Sequence, residues 1–305
     1  MNSKKRILIL IKEKQSDSDK NWEFFRSTVQ TALGEDIEIT MGELTSLTFE
    51  SDGLDSKVYD RDRGWSLDEF DLVVFRLIRK EFATASACAS FLIAKNIPYI
   101  DTETQPGGRS KYAAGVLRQS VGLSTIPTVH GSHTTLSKMI EREELPFAYP
   151  IVIKDNFGKK GRLNFIAHNK AAALQIMREN EEVDFIIQSF IQNEGDYRIL
   201  VFGGTPVLVI YRQAQGSSHL NNTSQGAVAS IVPLSEVDPT ILEDAKRAAD
   251  VEHLEVAGVD IVTNHLNGQH YVIETNSSPQ IASGAFPDLK TRAYADYLTS
   301  LVKRS

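Results

Sequence analysis

The sequence has little cysteine and no long hydrophobic run. Its 305 residues include a single cysteine, Cys88, so the chain cannot form an internal disulfide. We therefore expect a reducing, cytoplasmic setting, with Cys88 as a small buried hydrophobe. No stretch approaches the roughly 20 apolar residues that a membrane-spanning helix requires, so we expect no membrane partner. The apolar run at 7–11 is too short for a signal peptide and is predicted to be the first strand.

The sequence also lacks an excess of positive charge. It contains 33 lysines and arginines against 40 aspartates and glutamates, which gives a formal net charge of -7. Nonspecific binding to nucleic acid usually requires clustered basic residues, so we expect no nucleic-acid partner. This composition still allows a local basic pocket for an anionic ligand. The hydrophobic fraction of 41% is that of an ordinary globular protein with room for several compact units.

Strand and helix patterns divide the sequence into three parts. Residues 1–105 alternate short β-branched runs with helical segments, which predicts a parallel sheet covered by helices, an α/β arrangement. The turn-forming residues Gln-Pro-Gly-Gly at 105–108 then mark a break, and strands dominate from residue 151, as in an α+β region. We therefore predict an N-terminal α/β domain at 1–105, a central subdomain at 106–190 and a C-terminal domain at 191–305.

Periodicity also places the individual elements. In the first part, strands are predicted at 6–11, 71–76 and 98–100, and helices at 20–33 and 82–95. Residues 45–67 are polar and acidic without a clear period, and we expect a loop or an irregular β segment there. Further along, helices are predicted at 111–120, 134–143 and 289–303, and strands at 127–129, 151–154, 185–191, 256–262 and 271–276.

A strand that ends in lysine precedes a glycine-containing loop. Ile-Val-Ile-Lys ends at Lys154 and leads into Asp-Asn-Phe-Gly-Lys-Lys-Gly-Arg at 155–162. The ammonium at the sheet edge, together with backbone N–H groups around Gly158 and Gly161, could turn toward a polyanion. The loop does not end in Gly-Lys-Ser/Thr, so it is not a P-loop. A glycine-containing hairpin with solvated lysines explains these residues equally well.

An apolar strand followed by a short linker forms the second motif. Phe-Ile-Ile-Gln-Ser-Phe-Ile at 185–191 is followed closely by Glu-Gly-Asp-Tyr-Arg at 194–198. The backbone of such a linker offers hydrogen-bonding groups to a purine edge, and the carboxylate of Asp196 can accept hydrogen bonds from a ribose. Taken alone, however, the pattern is better explained by a core strand and a polar turn.

Two apolar strands near the end of the sequence carry the strongest motif. Asp260 lies in Val-Ala-Gly-Val-Asp-Ile-Val, and Glu274 and Asn276 end the run Tyr-Val-Ile-Glu-Thr-Asn. The turn between them contains Asn-Gly, which predicts a hairpin that brings Asp260 alongside Glu274. Two carboxylates and an amide oxygen on one face suit Mg²⁺, which takes its other ligands from water and phosphate. A buried aspartate in an apolar strand is costly without such a partner, so we favour a metal site over a structural role.

Taken in order, the motifs resemble the ATP-grasp superfamily. They are most similar to its RimK-type branch, the carboxylate–amine ligases that add glutamate to protein termini and their peptide-ligase relatives. The similarity runs from about Arg109 to the end of the sequence, and residues 1–105 resemble the smaller N-terminal domain of that family. The resemblance implies an ATP-grasp fold preceded by a parallel-sheet domain.

The resemblance also implies a set of site residues. Lys111 and Lys154 are similar to the two phosphate-binding lysines, residues 188–191 to the adenine-binding linker and Asp196 to a ribose-binding acid. The implied ATP-binding residues are Lys111, Lys154, Gly158, Gly161, Gln188, Ser189, Phe190, Ile191, Asp196 and Arg198. The implied magnesium ligands are Asp260, Glu274 and Asn276. The implied catalytic residues are Arg212, Lys154 and Asn222, the last in a polar stretch similar to the substrate-proximal loop of the family.

The sequence departs from the family pattern at several positions. Ser189 replaces the usual glutamate of the linker, and Gln280 replaces the glycine of Ser-Pro-Gly. Gln225 stands where related ligases have a basic residue. The glycine loop is poorer in glycine than usual and carries Lys159, Lys160 and Arg162, whose role the sequence does not define. Because these differences lie near the acceptor and the loop, they leave the substrate open.

The implied reaction begins when a substrate carboxylate attacks the γ-phosphate of ATP. An amine then attacks the resulting acyl phosphate and releases phosphate. The expected partners are Mg²⁺, with Mn²⁺ as the alternative ion, and a small-molecule or peptide carboxylate and amine, a protein terminus included. A homo-oligomer is expected at the level of the family. Two other functions stay open, namely an ATP-grasp phosphotransferase that acts on a small molecule and a noncatalytic ATP-binding protein.

Two arginines follow the strand predicted at 71–76. Arg76 ends that strand, and Arg79 lies three residues beyond it. Because the carboxyl edge of a parallel sheet usually faces a ligand crevice, Arg76 is a candidate to hold a substrate carboxylate. A solvated arginine at the end of a strand is an equally good interpretation.

Overall fold

The computed structural model describes seven segments of the chain. They are residues 4–12, 19–51, 56–78, 81–100, 110–158, 162–213 and 228–303. Within these segments, no helix has the length and apolar character that crossing a membrane requires.

The first hundred residues build a four-stranded parallel sheet, the first sheet. Its strands are β1 (Lys5–Ile11), β2 (Ile37–Glu43), β6 (Leu72–Phe75) and β7 (Tyr99–Ile100), in the order β2-β1-β6-β7. Helices α1 (Asp19–Leu33) and α2 (Phe82–Ala94) lie between them in the sequence. The predicted α/β character of this part is therefore confirmed. Strand β2 was missing from the sequence prediction; it is an edge strand that buries only Ile37 and Ile39 deeply.

Both faces of the first sheet are covered, which explains why β1 reads as a continuous apolar run. Ile7 and Ile9 pack against α1 on one face, together with the last helix of the chain. Leu8 and Leu10 pack against α2 on the other face, in the cluster that contains Cys88. Cys88 is fully buried, as predicted, and burial raises the pKa of its thiol to about 12.

The described residues between 47 and 66 form a small antiparallel sheet, which agrees with the β segment that was one of the two expectations for this stretch. Its strands are β3 (Leu47–Ser51), β4 (Ser56–Asp60) and β5 (Trp65–Ser66). The polar sequence hides this sheet because most of its side chains face solvent, whereas Val58 and Trp65 join the core beneath α2. The buried carboxylate of Asp60 is held by Arg63 and Ser46.

A second sheet, the central sheet, occupies the middle of the chain and is antiparallel. Its strands are β8 (Thr128–His130), β9 (Ile151–Asp155), β10 (Asn164–Ala167) and β11 (Phe185–Ser189), in the order β10-β9-β11-β8. Helices α4 (His133–Glu141) and α5 (Lys170–Glu179) cover one face and share its apolar core. Helix α3 (Lys111–Ser120) precedes this sheet and packs elsewhere, beside the helix Pro239–Val251 and the strand His270–Asn276 of the C-terminal part.

The C-terminal part carries a five-stranded antiparallel sheet, the C-terminal sheet. Its strands are β12 (Asp196–Phe202), β13 (Thr205–Gln213), β14 (Val228–Val232), β15 (Val256–Thr263) and β16 (His270–Asn276), in the order β14-β13-β12-β15-β16. Helix α6 (Pro239–Val251) covers one face. Helix α7 (Pro287–Val302) packs against α1, so the last helix completes the core of the first sheet.

The predicted hairpin near the end of the chain is confirmed. Strands β15 and β16 pair with Asp260 directly opposite Glu274. A β-bulge follows immediately, because Ile261 pairs with Val272 and leaves Ile273 as the extra residue. The bulge turns Glu274 onto the face of Asp260, while Val272 stays on the face that packs against α6.

Candidate active site

The face of the central sheet that α4 and α5 leave uncovered carries Lys154 and Gln188. In β9 and β11, Lys154 lies opposite Ile186 and Val152 lies opposite Gln188, and residues opposite each other share a face. Lys154 and Gln188 are each 8% exposed although α4 and α5 pack on the other side. The prediction that Lys154 lies near the end of a buried strand is therefore confirmed.

Lys154 faces the charged side chains of the C-terminal sheet. Burial lowers the pKa of its ammonium to about 8, and the charges of Lys111 and Arg118 act in the same direction. The carboxylates of Glu274 and Asp260 oppose this effect, so they lie near enough to attract the ammonium. Among the described residues, Lys154 nevertheless forms no ion pair within 4 Å.

Lys111 begins α3 and reaches the loop that follows β9. Ser110 caps the helix by accepting a hydrogen bond from the N–H of Ala113 at 3.0 Å. The ammonium of Lys111 donates to the carbonyls of Asp155, at 2.9 Å, and Gly158. The two predicted phosphate lysines thus lie on either side of the start of the glycine loop.

Asn156 anchors this loop, a role that the sequence did not reveal. Its side chain donates to the carboxylate of Asp184 at 2.9 Å and accepts from the N–H of Tyr112 at 3.1 Å. Its backbone carbonyl accepts from the N–H of Lys111 at 3.0 Å. Asn156 is only 2% exposed, so one buried amide joins the loop, α3 and the central sheet.

The predicted adenine linker connects the central and C-terminal sheets. The side chain of Gln188 donates to the hydroxyl of Thr128 at 2.7 Å, and the N–H of Ser189 donates to the carbonyl of Pro127 at 3.0 Å. Ile191 is buried and Phe190 is partly buried. The Gln188 amide is therefore engaged within the protein through one of its N–H groups.

Two arginines and two aspartates form one network on the C-terminal sheet. Register places Asp196 opposite Arg212 on β12 and β13, and Arg198 opposite Asp260 on β12 and β15. Arg212 binds both carboxylate oxygens of Asp196, at 2.8 Å for Nε to Oδ1, and Arg198 binds both oxygens of Asp260. Arg212 also lies 3.0 Å from Asp260, so the four side chains are continuous.

The two aspartates of this network differ in pKa. Burial, with the nearby charge of Asp260, raises the pKa of Asp196 to about 6 against the attraction of Arg212. Burial acts on Asp260 as well, but two arginines contact it and hold its pKa below the ordinary value. Arg212 is the shared cation, and its neighbouring carboxylates raise its pKa. Asp260 is consequently the carboxylate that stays ionised at every physiological pH.

The three predicted metal ligands lie together. Asp260 faces Glu274 across the β15–β16 ladder, and the amide of Asn276 donates to Glu274 at 3.1 Å. Two carboxylates and an amide oxygen fit Mg²⁺ that brings phosphate as its remaining ligand. The described residues contain no group of three or more His, Cys, Asp or Glu side chains suited to a metal. Arg198 and Arg212 share the oxygens of Asp260 in this state.

A buried ion pair lies beside this site and was not predicted. Arg118 on α3 and Glu252, just after α6, each have side chains 2% exposed, with Nε 3.3 Å from Oε1. Arg118 also donates to the carbonyl of Ala114 at 3.0 Å, but its Nη1 has no hydrogen-bond partner in the described part of the chain. Burial lowers the pKa of Arg118, although Glu252 and Glu274 attract its charge. An arginine in an amphipathic helix suggests a solvated face, so the sequence offered no signal for this burial.

Arg76 lies against the loop between β16 and α7. Its guanidinium donates to the carbonyl of Pro279 at 2.8 Å and stacks over the ring of Phe25, 5.0 Å from the centroid. Arg76 is 7% exposed, so the interpretation of a solvated arginine is wrong. Lys290 lies on the other side of the same loop, on α7, and was also not predicted.

Several predicted residues lie outside the described segments. These are Arg79, Lys159, Lys160, Gly161, Asn222 and Gln225. Arg162 is described and is exposed.

Comparison with known proteins identifies the family. Residues 111–293 match the model of the RimK-like ATP-grasp domain. A protein named probable alpha-L-glutamate ligase from Halorhodospira halophila is 29% identical over 224 residues, which cover 71% of each chain.

Solved structures agree on the fold. D-alanyl-alanine synthetase A from Vibrio cholerae O1 superimposes with a TM-score of 0.70 at 13% identity, over 100% of this chain and 99% of that one. The ATP-grasp ligase PsnB, complexed with a minimal precursor, Mg and ADP, gives a TM-score of 0.69 at 12% identity, over 97% of each chain. The matched motifs, the paired sheets and these comparisons lead to one conclusion: the chain belongs to the RimK-like ATP-grasp domain family.

Proposed function

We propose that this chain uses Mg²⁺ and ATP to convert a substrate carboxylate into an acyl phosphate, and then joins it to an amine. One observation carries the proposal. The open face of the central sheet holds the ammonium of Lys154 toward Glu274 and Asp260 of the C-terminal sheet, so cationic and metal-binding groups face each other. Membership of a family whose relatives are named as ligases supports amide-bond formation over other uses of ATP.

Lys111 and Lys154 would hold the phosphate chain. Lys154 supplies a buried ammonium without an ion-pair partner among the described residues, and a phosphate oxygen would compensate its charge. Lys111 already holds the carbonyls of Asp155 and Gly158, so it fixes the loop whose N–H groups would face the phosphates. Gly158 is proposed as part of this phosphate-binding loop because its carbonyl accepts from Lys111. Gly161 is proposed from the resemblance alone.

The linker at 188–191 would hold adenine through its backbone, since the side chain of Gln188 is bound to Thr128. Asp196 is proposed to bind the ribose, and its pairing with Arg212 gives it a second task. It orients that arginine on the sheet face. Arg198 would be oriented in the same way by Asp260.

Asp260, Glu274 and Asn276 would hold Mg²⁺, with Mn²⁺ as the alternative ion. When bound, the ion neutralises negative charge on the phosphates during transfer. The protein's own contribution is to keep Asp260 ionised, which its two arginines ensure. Glu274 is kept beside Asp260 by the bulge in β15–β16.

Arg212 and Lys154 are proposed as the catalytic cations, together with Asn222. Phosphoryl transfer depends on positioning and charge neutralisation more than on a nucleophilic side chain. Arg212 is held by two carboxylates and cannot swing away, so it is preorganised for charge that develops on the transferred group. Asn222 is proposed from the resemblance to the substrate-proximal loop.

The substrates are proposed from the relatives. The names of several relatives contain glutamate, among them the probable alpha-L-glutamate ligase, a beta-citrylglutamate synthase from Danio rerio and an N-acetylaspartylglutamate synthase from Homo sapiens. We therefore propose glutamate as one reactant, joined to a free amino acid, a peptide or a protein terminus. The three-part division at 105/106 and 190/191, a cytoplasmic setting and a homo-oligomer also remain proposals.

The test is ADP release with Mg²⁺-ATP and mass spectrometry of the products. Wild-type protein and Glu274→Ala are compared over amino acids, short acidic peptides and their pairwise mixtures. A ligase is expected to release ADP only when an acid and an amine are both present. Its product should have the combined mass of the two reactants less one water, and Glu274→Ala should be inactive. A phosphorylated product without an amide would show a phosphotransferase. Failure of the wild-type protein to bind ATP would overturn the proposal as a whole.

A further inference from the structure

Lys290 is a buried cation that the proposed reaction does not use. It lies on the first turns of α7 and is 4% exposed. Its ammonium donates one hydrogen bond, to the carbonyl of Ser283 at 2.5 Å. A lysine ammonium has three N–H donors, so two have no partner among the described residues.

The surroundings of Lys290 do not compensate its charge. Burial lowers its pKa to about 8, and the only charged neighbour among the described residues that contributes is Arg198, which lowers it further. Asp288 lies on the same turn but is exposed and forms no ion pair with Lys290. A buried charge without a counterion is unfavourable, which indicates that an anion completes this site.

Lys290, Arg198 and Arg76 meet at one loop, residues 277–286. Arg76 donates to the carbonyl of Pro279, and Lys290 donates to that of Ser283. Arg198 lies beside Pro279, because a Cβ added at Gly258 would be 3.0 Å from its Nη1 and 3.1 Å from the Cβ of Pro279. The loop thus contacts all three cations, and Arg198 is the one that acts on Lys290.

The loop itself is open to solvent. Gln280, Ser283 and Gly284 are exposed, so Lys290 lies one layer beneath the surface. A Cβ added at Gly284 would be 3.7 Å from the Nζ of Lys290, which shows how closely the exposed backbone approaches the ammonium. The side chain of Gln280 shares this approach, since its Oε1 would be 2.7 Å from the same Cβ.

Arg198 separates this place from the metal ligands. It binds both oxygens of Asp260 on one side and acts on Lys290 on the other. Neither Asp260 nor Glu274 contributes to the pKa of Lys290. The side chain of Arg198 therefore lies between an anion bound to Lys290 and Asp260, the carboxylate proposed to hold Mg²⁺ at the γ-phosphate.

We propose that Lys290, with Arg198 beside it, binds a second carboxylate of the substrate, one that is not activated. This inference rests on the proposed function and narrows its substrate to a molecule that keeps a free carboxylate near the reacting group. Lys290 is then a specificity-determining residue, because a neutral analogue leaves its charge buried and uncompensated.

The test compares wild type, Lys290→Met, Lys290→Arg and Lys303→Met. Lys303 follows the same helix and is exposed, so its variant is a matched control. Binding of L-glutamate, L-glutamine and L-isoglutamine is measured by calorimetry, which requires no turnover. Thermal unfolding and binding of Mg²⁺-ATP are measured on every variant and should stay at the wild-type level except for small changes in unfolding temperature.

We expect Lys290→Met to weaken glutamate binding by about tenfold or more, and Lys290→Arg to retain most of it. One of the two amides should bind wild type as weakly as glutamate binds Lys290→Met, which tells the α-carboxylate from the side-chain carboxylate. Equal glutamate affinity in wild type and Lys290→Met, or no glutamate binding to a wild type that binds Mg²⁺-ATP, overturns the inference. Loss of Mg²⁺-ATP binding by the wild type would instead overturn the proposed function.

Discussion

Two kinds of buried charge occur in this protein, and they differ in how they are compensated. Arg118 and Glu252 are buried as a pair, and the arginines of the C-terminal sheet are each bound to an aspartate. Lys154 and Lys290 are buried without an ion pair to any described residue, and burial lowers the pKa of each to about 8. The neighbours of the two lysines differ as well. Lys154 has Glu274 and Asp260 nearby, whereas Lys290 has only another cation.

This difference distinguishes buried charges that stabilise the fold as pairs from buried charges that only a bound ligand would compensate. Removing one member of a buried pair leaves its partner uncompensated, so the protein loses stability. Removing a lone buried ammonium takes away an unfavourable burial, so the ligand-free protein gains stability and loses function. Mutations of the paired and the lone charges are therefore expected to change stability in opposite directions.

The largest effect is expected at the buried pair. Arg118→Leu leaves the carboxylate of Glu252 buried alone and should lower the free energy of unfolding by about 3–5 kcal/mol. The double variant Arg118→Leu with Glu252→Leu should recover most of this loss, because both charges are gone. Urea unfolding of the single and double variants measures the coupling. If the double variant lost the sum of the two single losses in free energy of unfolding, the two charges would not be coupled. The contrast between paired and lone buried charges would then be wrong.

Lys154→Met should separate stability from activity. Loss of this ammonium should reduce the rate of ADP formation by about 10²–10³, as removal of one preorganised charge contact does in other enzymes. The free energy of unfolding should rise by about 1–3 kcal/mol, since the depressed pKa of Lys154 reflects a charge buried at a cost. Steady-state kinetics and urea unfolding check the two effects on one preparation, and Lys154→Arg keeps the charge as a control. A variant that lost both rate and stability would place Lys154 among the structural charges.

The lone lysines also predict a pH dependence of stability. Their pKa is about 8 in the folded state against 10.5 for an ordinary lysine, so the unfolded chain binds more protons between these values. The free energy of unfolding should therefore rise with pH from about 8 to 10.5, relative to a variant in which both lysines are methionine. Below pH 8 the difference between the two proteins should be constant. Unfolding curves at half-unit steps of pH test this, and parallel profiles above pH 8 would contradict it.

The smallest effect is expected at Gln188. Gln188→Leu removes the hydrogen bond to Thr128 and should lower the free energy of unfolding by about 1 kcal/mol. Binding of ATP should change by only a few fold, because the side chain is engaged within the protein and the backbone is left to contact the base. Fluorescent-nucleotide titration against wild type measures this. A loss of affinity as large as that of Lys154→Met would assign the contact to the side chain.

The sequence predicted those features that follow from local pattern. The Asn-Gly turn and two apolar strands were enough to place Asp260 opposite Glu274, and a strand ending in lysine was enough to find Lys154. Arg118 and Lys290 could not be found in this way. Each is a basic residue in a helix. The burial of Arg118 depends on α3 packing beside β16, a contact between distant parts of the chain, and that of Lys290 depends on the irregular loop before α7.

Strand β2 escaped prediction, and the sheet at 47–66 was expected only as an alternative to a loop, for a related reason. Their sequences are mostly polar, and they are strands because neighbouring chain segments pair with them. The cation cluster around Pro279 joins β6, β12 and α7, so no single motif contains it. Several contacts that the sequence did not predict join residues that lie far apart in the chain.

The packing of α7 against α1 has a consequence for how the chain is made. The first sheet is assembled from residues that leave the ribosome early, but one of its two faces is closed by residues 287–302, which leave it much later. The part of this core that α7 contacts must therefore stay uncovered, or be covered by something else, through most of synthesis. The N-terminal sheet can thus reach its native stability only after the last helix has been made.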